Sequence, residues 1–267
     1  MKTSDHNNMS FLEHLEELRW HVIRSIGAIV FTGFFCFLMK DFIFDTIIFG
    51  PKKMNFPTYR FLCEVATSVG VQTSFCGDEF PFIIQNRTMA GQFSAHIMTS
   101  IIAGFIISFP YVLFELWKFI SPGLLKKEKN NSRGFIFVSS LLFFLGILFG
   151  YYIITPLSIN FLGTYQVSSE VLNEIDLASF ISLVRSSTLA SGIIFELPIL
   201  IFFLTKAGVV TPQALTKYRK YALVLVLILA ALITPPDITS QIIVAIPIII
   251  LYQVSIFISK IVVKNQK

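Results

Sequence analysis

Six long apolar runs alternate with short polar or basic connections along the 267 residues. A run of about 20 apolar residues, rising ~1.5 Å per residue as helix, crosses a hydrocarbon layer of roughly 30 Å. Spans are therefore expected at about 22–39, 92–119, 134–155, 177–204, 218–234 and 242–258. The last two are short, the sixth carries Pro247, and only the tight segment Thr234-Pro235-Pro236-Asp237 separates them. Short spans thin the bilayer around them. Pro110 should kink the second span.

Ahead of the first run, Ser10-Phe11-Leu12-Glu13 has the form of a capping box. Phe11, Leu15, Leu18 and Val22 recur at helical spacing, with Glu13, Glu16 and Glu17 on other faces. This pattern predicts a short amphipathic helix on the membrane surface before the first span. Acidic residues there, and no small-residue cleavage site after the apolar run, lead us to expect that the first span is retained. Between spans one and two, residues 40–91 form a long polar loop with Pro51, Pro57 and the Asp78-Glu79 pair.

Composition agrees with a membrane chain. Charged residues make up 14% and hydrophobic residues 54%, against about 25% charged in a soluble domain. The net charge of +5 could suggest nucleic acid, but the basic residues sit beside span ends on alternate connections. Fifteen lie in the N-terminal segment, the second and fourth connections and the tail; five (Lys40, Lys52, Lys53, Arg60 and Arg87) lie in the long first loop. Positive residues stay on the cytoplasmic side, so both termini are expected inside. The expected architecture is a single all-α integral membrane domain of six helices over 1–267, with no nucleic-acid partner.

Several chemistries lack their residues. There is no G-x-x-x-x-G-K-[ST] phosphate loop, H-E-x-x-H or G-x-S-x-G, and the four His and three Cys have no metal-ligand spacing. Neither an enzyme nor a resident cofactor or metal is expected. His96 reads as a packing residue. Cys63 and Cys76 share the long outer loop; in an oxidising compartment they could pair, closing a loop worth roughly 3 kcal/mol, or stay as two thiols.

Ionisable groups at membrane depth cost at least ~2.5 kcal/mol each and mark function. Arg185 and Glu196, 11 residues apart, share one helical stripe with Thr188 and Gly192, and Pro198 loosens the backbone beside Glu196. Such a stripe faces a cavity or partner; the alternatives are an internal ion pair or, for Arg185, snorkelling. On the inner side stand Glu17, Glu128 among Lys126, Lys127 and Lys129, and a third acid, Glu115. Carboxylates can accept bidentate contacts from guanidinium groups; by composition alone Glu128 reads as a solvated loop charge.

Four segments in register resemble the TatC family, the multispanning subunit of the twin-arginine protein translocase. They are His14-Leu15-Glu16-Glu17-Leu18-Arg19; Phe119-Ile120-Ser121-Pro122-Gly123-Leu124 through Glu128; Phe195-Glu196-Leu197-Pro198; and Leu232-Ile233-Thr234-Pro235-Pro236-Asp237 through Gln241, followed by Ala245-Ile246-Pro247. The resemblance implies a glove-like concave bundle in the bacterial inner membrane that binds twin-arginine signal peptides and exports folded proteins on the protonmotive force. It implies that Glu17 and Glu128 bind the arginine pair, with Arg19, Phe119, Pro122 and Leu124 shaping that surface. Glu196, Thr234 and Gln241 would face single-span TatA/TatB-type subunits, and copies of the chain would associate within the complex. The long first loop with two Cys is similar to TatC proteins of the Bacteroidota, while richness in Phe, Ile and Asn also suits organellar versions. The alternative is a secondary transporter or ion channel lined by Arg185 and Glu196, which would ordinarily show paired halves.

Overall fold

A computed structural model describes residues 11–70, 76–77, 79–120, 132–168, 170–233 and 238–266. Ten α-helices appear among them: α1 (Phe11–Leu38), α2 (Pro57–Ser68), α3 (Gly91–Ile120), α4 (Ser132–Phe149), α5 (Thr155–Thr164), α6 (Leu177–Phe195), α7 (Leu197–Lys206), α8 (Pro212–Lys217), α9 (Arg219–Ile233) and α10 (Ile238–Gln266). Five helical stretches are long and apolar enough to cross a membrane: Leu15–Leu38, Gly91–Ile120, Gly134–Thr164, Leu177–Lys206 and Ser240–Lys264. Their outer faces carry Val30, Phe31, Phe34, Phe93, Phe137 and Ile250, each more than half exposed. A water-soluble chain would not leave so many large apolar side chains bare on its helices. The apolar helix α9 has 15 residues, about 22 Å of rise.

The chain forms two compact units, Met1–Lys40 with Phe93–Leu141, and Asp41–Gln92 with Leu142–Lys267. In the first, α1 and α3 cross at glycine. A Cβ on Gly104 would lie 2.6 Å from the Gly33 Cα, so only hydrogen at position 104 permits this approach, whereas a Cβ on Gly33 would come to 3.3 Å from the Ser100 carbonyl. Thr32 Oγ1 sits 2.9 Å from the Gly104 carbonyl at the same crossing. Towards the C-terminal end of α1, His96 stacks on Phe37, with ring centroids 3.9 Å apart, and its Nε2 lies 3.0 Å from the Phe37 carbonyl. Gly104→Leu should lower the stability of the detergent-solubilised protein by about 1–3 kcal/mol, since the new side chain meets backbone that cannot yield. Gly27→Ala, with nothing within 4 Å of its Cβ, should be neutral or stabilising. Thermal unfolding midpoints of the two variants check this.

In the second unit a stripe of small residues on α4 and the turn after it meets another on α6. Cβ atoms on Gly146 and Gly150 would lie 2.7 Å from the Ser191 carbonyl and 2.8 Å from the Ser187 carbonyl. Thr155 and Ser187 hydroxyls join across the same seam at 2.8 Å. The apolar core of this unit is Ile154, Val226, Ala230, Val244, Ala245 and Ile248. Tyr59 is fully buried, with its hydroxyl 2.9 Å from the Pro51 carbonyl and 3.0 Å from that of Pro156. Burial pushes its phenol far above the ordinary range.

The structure corrects the sequence reading in several places. The amphipathic segment and first span are one uninterrupted helix, α1, rather than two elements. The third span does not end at Thr155: a wide turn, Gly150–Ile154, resets the hydrogen-bond register, and helix resumes to Thr164. Pro156 is tolerated because it falls at the start of that restarted helix, where its missing N–H has no partner to lose. The fourth span breaks at Glu196 into α6 and α7, with Pro198 at the start of α7. The sixth run continues as helix to Gln266.

The loop 40–91 is not irregular throughout. It carries helical turns Phe42–Ile48 and Gly50–Lys52, then α2, and β1 (Phe82–Gln85). β1 pairs in parallel with β2 (Asn173–Asp176), so the all-α expectation needs this one two-stranded ribbon added. Arg87 and Glu174, 3.2 Å apart, clip the ribbon at its surface. Cys63 on α2 is disulfide-bonded to Cys76, with their Cα atoms 5.1 Å apart.

Candidate functional site

The N-terminal half of α1 and the C-terminal end of α3 gather the first unit's polar chemistry. Glu17, Arg19, His21 and Arg24 lie on α1; Glu115, Lys118 and Phe119 lie in the last two turns of α3. The two helices meet through Glu115, which is only 2% exposed. His21 Nδ1 lies 2.6 Å from Glu115 Oε2; an ionised carboxylate only accepts, so this nitrogen carries the proton and donates. Lys118 Nζ stands 3.5 Å from Glu115 Oε1, and Arg24 Nη1 3.7 Å from Oε2. Both cations are about half exposed, so water weakens their share, whereas the His21 bond is dry and charge-assisted.

Around this centre aromatic rings fill the remaining space. Phe119 approaches the His21 ring edge-on with centroids 6.3 Å apart. Lys118 Nζ sits 4.2 Å from the Phe114 ring centroid, close enough for cation–π attraction. Trp117 is buried and stacks on Phe135 at 4.6 Å.

One turn before His21, and so on the same helical face, stands Glu17. Its side chain is half-buried, and the Oε2 atom is shielded from solvent with no hydrogen-bond partner among the described residues. A shielded carboxylate oxygen without a donor costs of order 1–3 kcal/mol. That cost disappears when a donor arrives from outside. Glu115 has donors built in, whereas Glu17 Oε2 has none among the described residues. Arg19 is exposed on the same helix and Phe119 is half-buried on α3, whereas the expected partners Pro122, Leu124 and Glu128 lie outside the described residues.

The second unit holds the intramembrane candidates. Glu196 caps α6, and its carbonyl starts α7 by accepting from Ile199 and Leu200 at 3.0 and 2.9 Å. The broken helix places a half-buried carboxylate where backbone groups are also released. Arg185 is half-buried on α6, with Nε and Nη1 shielded and without hydrogen-bond partners among the described residues. No ion pair joins it to Glu196 among the described residues, 11 positions along the stripe. Gln241, near the start of α10, donates Nε2 to the Leu227 carbonyl of α9 at 3.1 Å. It thus ties the last two helices together. Thr234 lies outside the described residues.

The sequence reading missed the weight of Glu115, which it placed only as a third inner-side acid. Its partner His21 is 94 residues away, so no local spacing links them. The available signal was an acid set inside an otherwise apolar helix end, beside Lys118.

The family profile described as Sec-independent protein translocase protein (TatC) matches residues 13–247. A Sec-independent protein translocase protein TatC from Blattabacterium sp. subsp. Periplaneta americana (strain BPLAN) is 46% identical over 257 residues, covering 96% of this chain and 97% of the relative. The protein of the same description from Aquifex aeolicus (strain VF5) is 34% identical, with 97% and 98% covered. Among solved structures, a crystal structure of the twin arginine translocase receptor TatC superposes with a TM-score of 0.69 at 33% identity, over 94% of this chain and 100% of the other.

Proposed function

The chain belongs to the TatC family of Sec-independent protein translocase proteins, and from that premise we propose that its α1–α3 end is the site that grips the paired arginines of an export signal. The observation that carries this reading is the unsatisfied, shielded Oε2 of Glu17. A guanidinium offers five N–H donors in a planar fork matched to a carboxylate. One such group docking on Glu17 supplies the missing hydrogen bonds and neutralises a charge at the same time.

Glu128 takes the second arginine, and Arg19, Phe119, Pro122 and Leu124 shape the surface between the two acids. Glu115 is the fixed anchor: it already holds the His21 imidazole and the Arg24 and Lys118 cations of its own chain, so it keeps α1 and α3 in register while Glu17 Oε2, without a donor among the described residues, takes the ligand. Both termini lie in the cytoplasm, and α9 forms the sixth, short span. Glu196, Thr234 and Gln241 face single-span TatA/TatB-type subunits in the bacterial inner membrane, copies of the chain associate within the complex, and folded precursors cross on the protonmotive force.

The test is crosslinking of a twin-arginine precursor to the full chain in membranes, with and without Glu17→Ala combined with Glu128→Ala. Loss of the crosslink in the double variant supports the assignment. An undiminished crosslink at normal protein levels removes it.

A further inference from the structure

After Glu196 the chain carries seven basic residues and a single acid, Asp237. Three of the seven converge on one cleft. It measures about 600 Å³ and is walled by Gln213, Thr216 and Lys217 of α8 and by Lys260, Val263 and Lys264 of α10. None of its three lysines makes a salt bridge among the described residues. Lys260 and Lys264 are one turn apart on one face of α10, and Lys217 closes the opposite wall. Three ammonium groups around one concavity, with no counter-ion among the described residues, repel one another, and an anion of matching size relieves that repulsion.

The walls are fixed before any ligand arrives. Pro212 opens α8, and Thr211 Oγ1 caps it by accepting from Ala214 N at 3.2 Å. Tyr252 of α10 donates to the Leu215 carbonyl of α8 at 2.8 Å. Thr205 and Ser259 hydroxyls, 2.9 Å apart, bind α7 to α10 beside it.

The cleft also stands at a bilayer boundary, because the apolar stretch of α10 ends at Lys264. Bare apolar side chains, Phe257 at 65% exposure and Ile261 at 44%, lead from its lysines back along the span. Tyr218 and Tyr221 are exposed nearby, as is usual for aromatic side chains at headgroup depth. Cations at the rim with acyl-length apolar surface beneath are complementary to an amphiphile rather than to a water-borne anion. We infer that the α8–α10 cleft binds the phosphate headgroup of an anionic phospholipid, whose acyl chains lie along Phe257 and Ile261.

The experiment uses the delipidated full chain in detergent, with native mass spectrometry reading bound lipid. The probes are phosphatidylglycerol, phosphatidylcholine and inorganic phosphate. Phosphatidylglycerol should bind at least about tenfold better than phosphatidylcholine, and Lys217→Gln/Lys260→Gln/Lys264→Gln should lower that binding by about tenfold or more, each lysine contributing through surface charge. A control removing equal charge elsewhere, Lys52→Gln/Lys53→Gln/Arg60→Gln, should retain it. Equal binding of the two lipids, equal losses in both triple variants, or displacement of phosphatidylglycerol by millimolar-scale inorganic phosphate would each overturn the lipid assignment. The same holds if an acidic peptide, and not the lipid, is the ligand the cleft lysines retain.

Discussion

Glu17→Ala is expected to lower the affinity for a twin-arginine precursor by about 30-fold or more while leaving the chain folded. Truncating one partner of a desolvated, hydrogen-bonded charge pair costs about 2–5 kcal/mol, and ~1.4 kcal/mol is tenfold. The fold should tolerate the change because the shielded Oε2 has no hydrogen-bond partner among the described residues, so its removal orphans no donor among them. A double-mutant cycle isolates the contact from any general effect on binding. The native chain and the variant are each titrated with a precursor bearing two arginines and with one bearing two lysines. Lysine keeps the charge but lacks the planar fork, so the native chain should prefer arginine strongly and the variant much less. If the variant retains the full arginine preference, Glu17 is not where the pair is read.

The distribution of apolar runs was enough to identify the long spanning helices, because crossing hydrocarbon demands one property over a fixed length. It was poor at locating interruptions. The expected end of the third span is Thr155, yet the wide turn at Gly150–Ile154 places Pro156 at a helix start, in a stretch that packs closely on α6 at Gly150. The pairing of Phe82–Gln85 with Asn173–Asp176 was equally hidden, since neither four-residue strand is long enough to show a period. Candidate acids stood out by their cost at membrane depth. What distinguishes them did not: Glu17 and Glu115 are both carboxylates near a basic boundary, and only the fold shows that Glu115 is held by His21, Arg24 and Lys118 while Glu17 Oε2 has no donor among the described residues. Gln241, flagged by resemblance for partner docking, also donates its amide across α9 and α10, a contact no local spacing announced.

The contrast between the two acids sets the second large effect. Glu115→Ala should destabilise the chain by about 3–5 kcal/mol, the usual result of removing one member of a buried ionic pair. His21 would then keep a buried donor with no acceptor, and Arg24 and Lys118 would lose the charge that draws them together. Replacing both members by apolar residues of similar volume should restore much of the loss, because no buried polar group is then left unpaired. The comparison is therefore Glu115→Ala against Glu115→Leu/His21→Leu, read as thermal unfolding in detergent and, separately, as precursor binding. The two readouts should diverge. The double Leu chain recovers stability, but its α1 is no longer held at the register that a 2.6 Å hydrogen bond imposes, so Glu17, one turn away, should bind the arginine pair less tightly than in the native chain. A Glu115→Ala chain that melts with the native protein would show that the helices are held at glycine alone, and that Glu115 has no part in presenting Glu17.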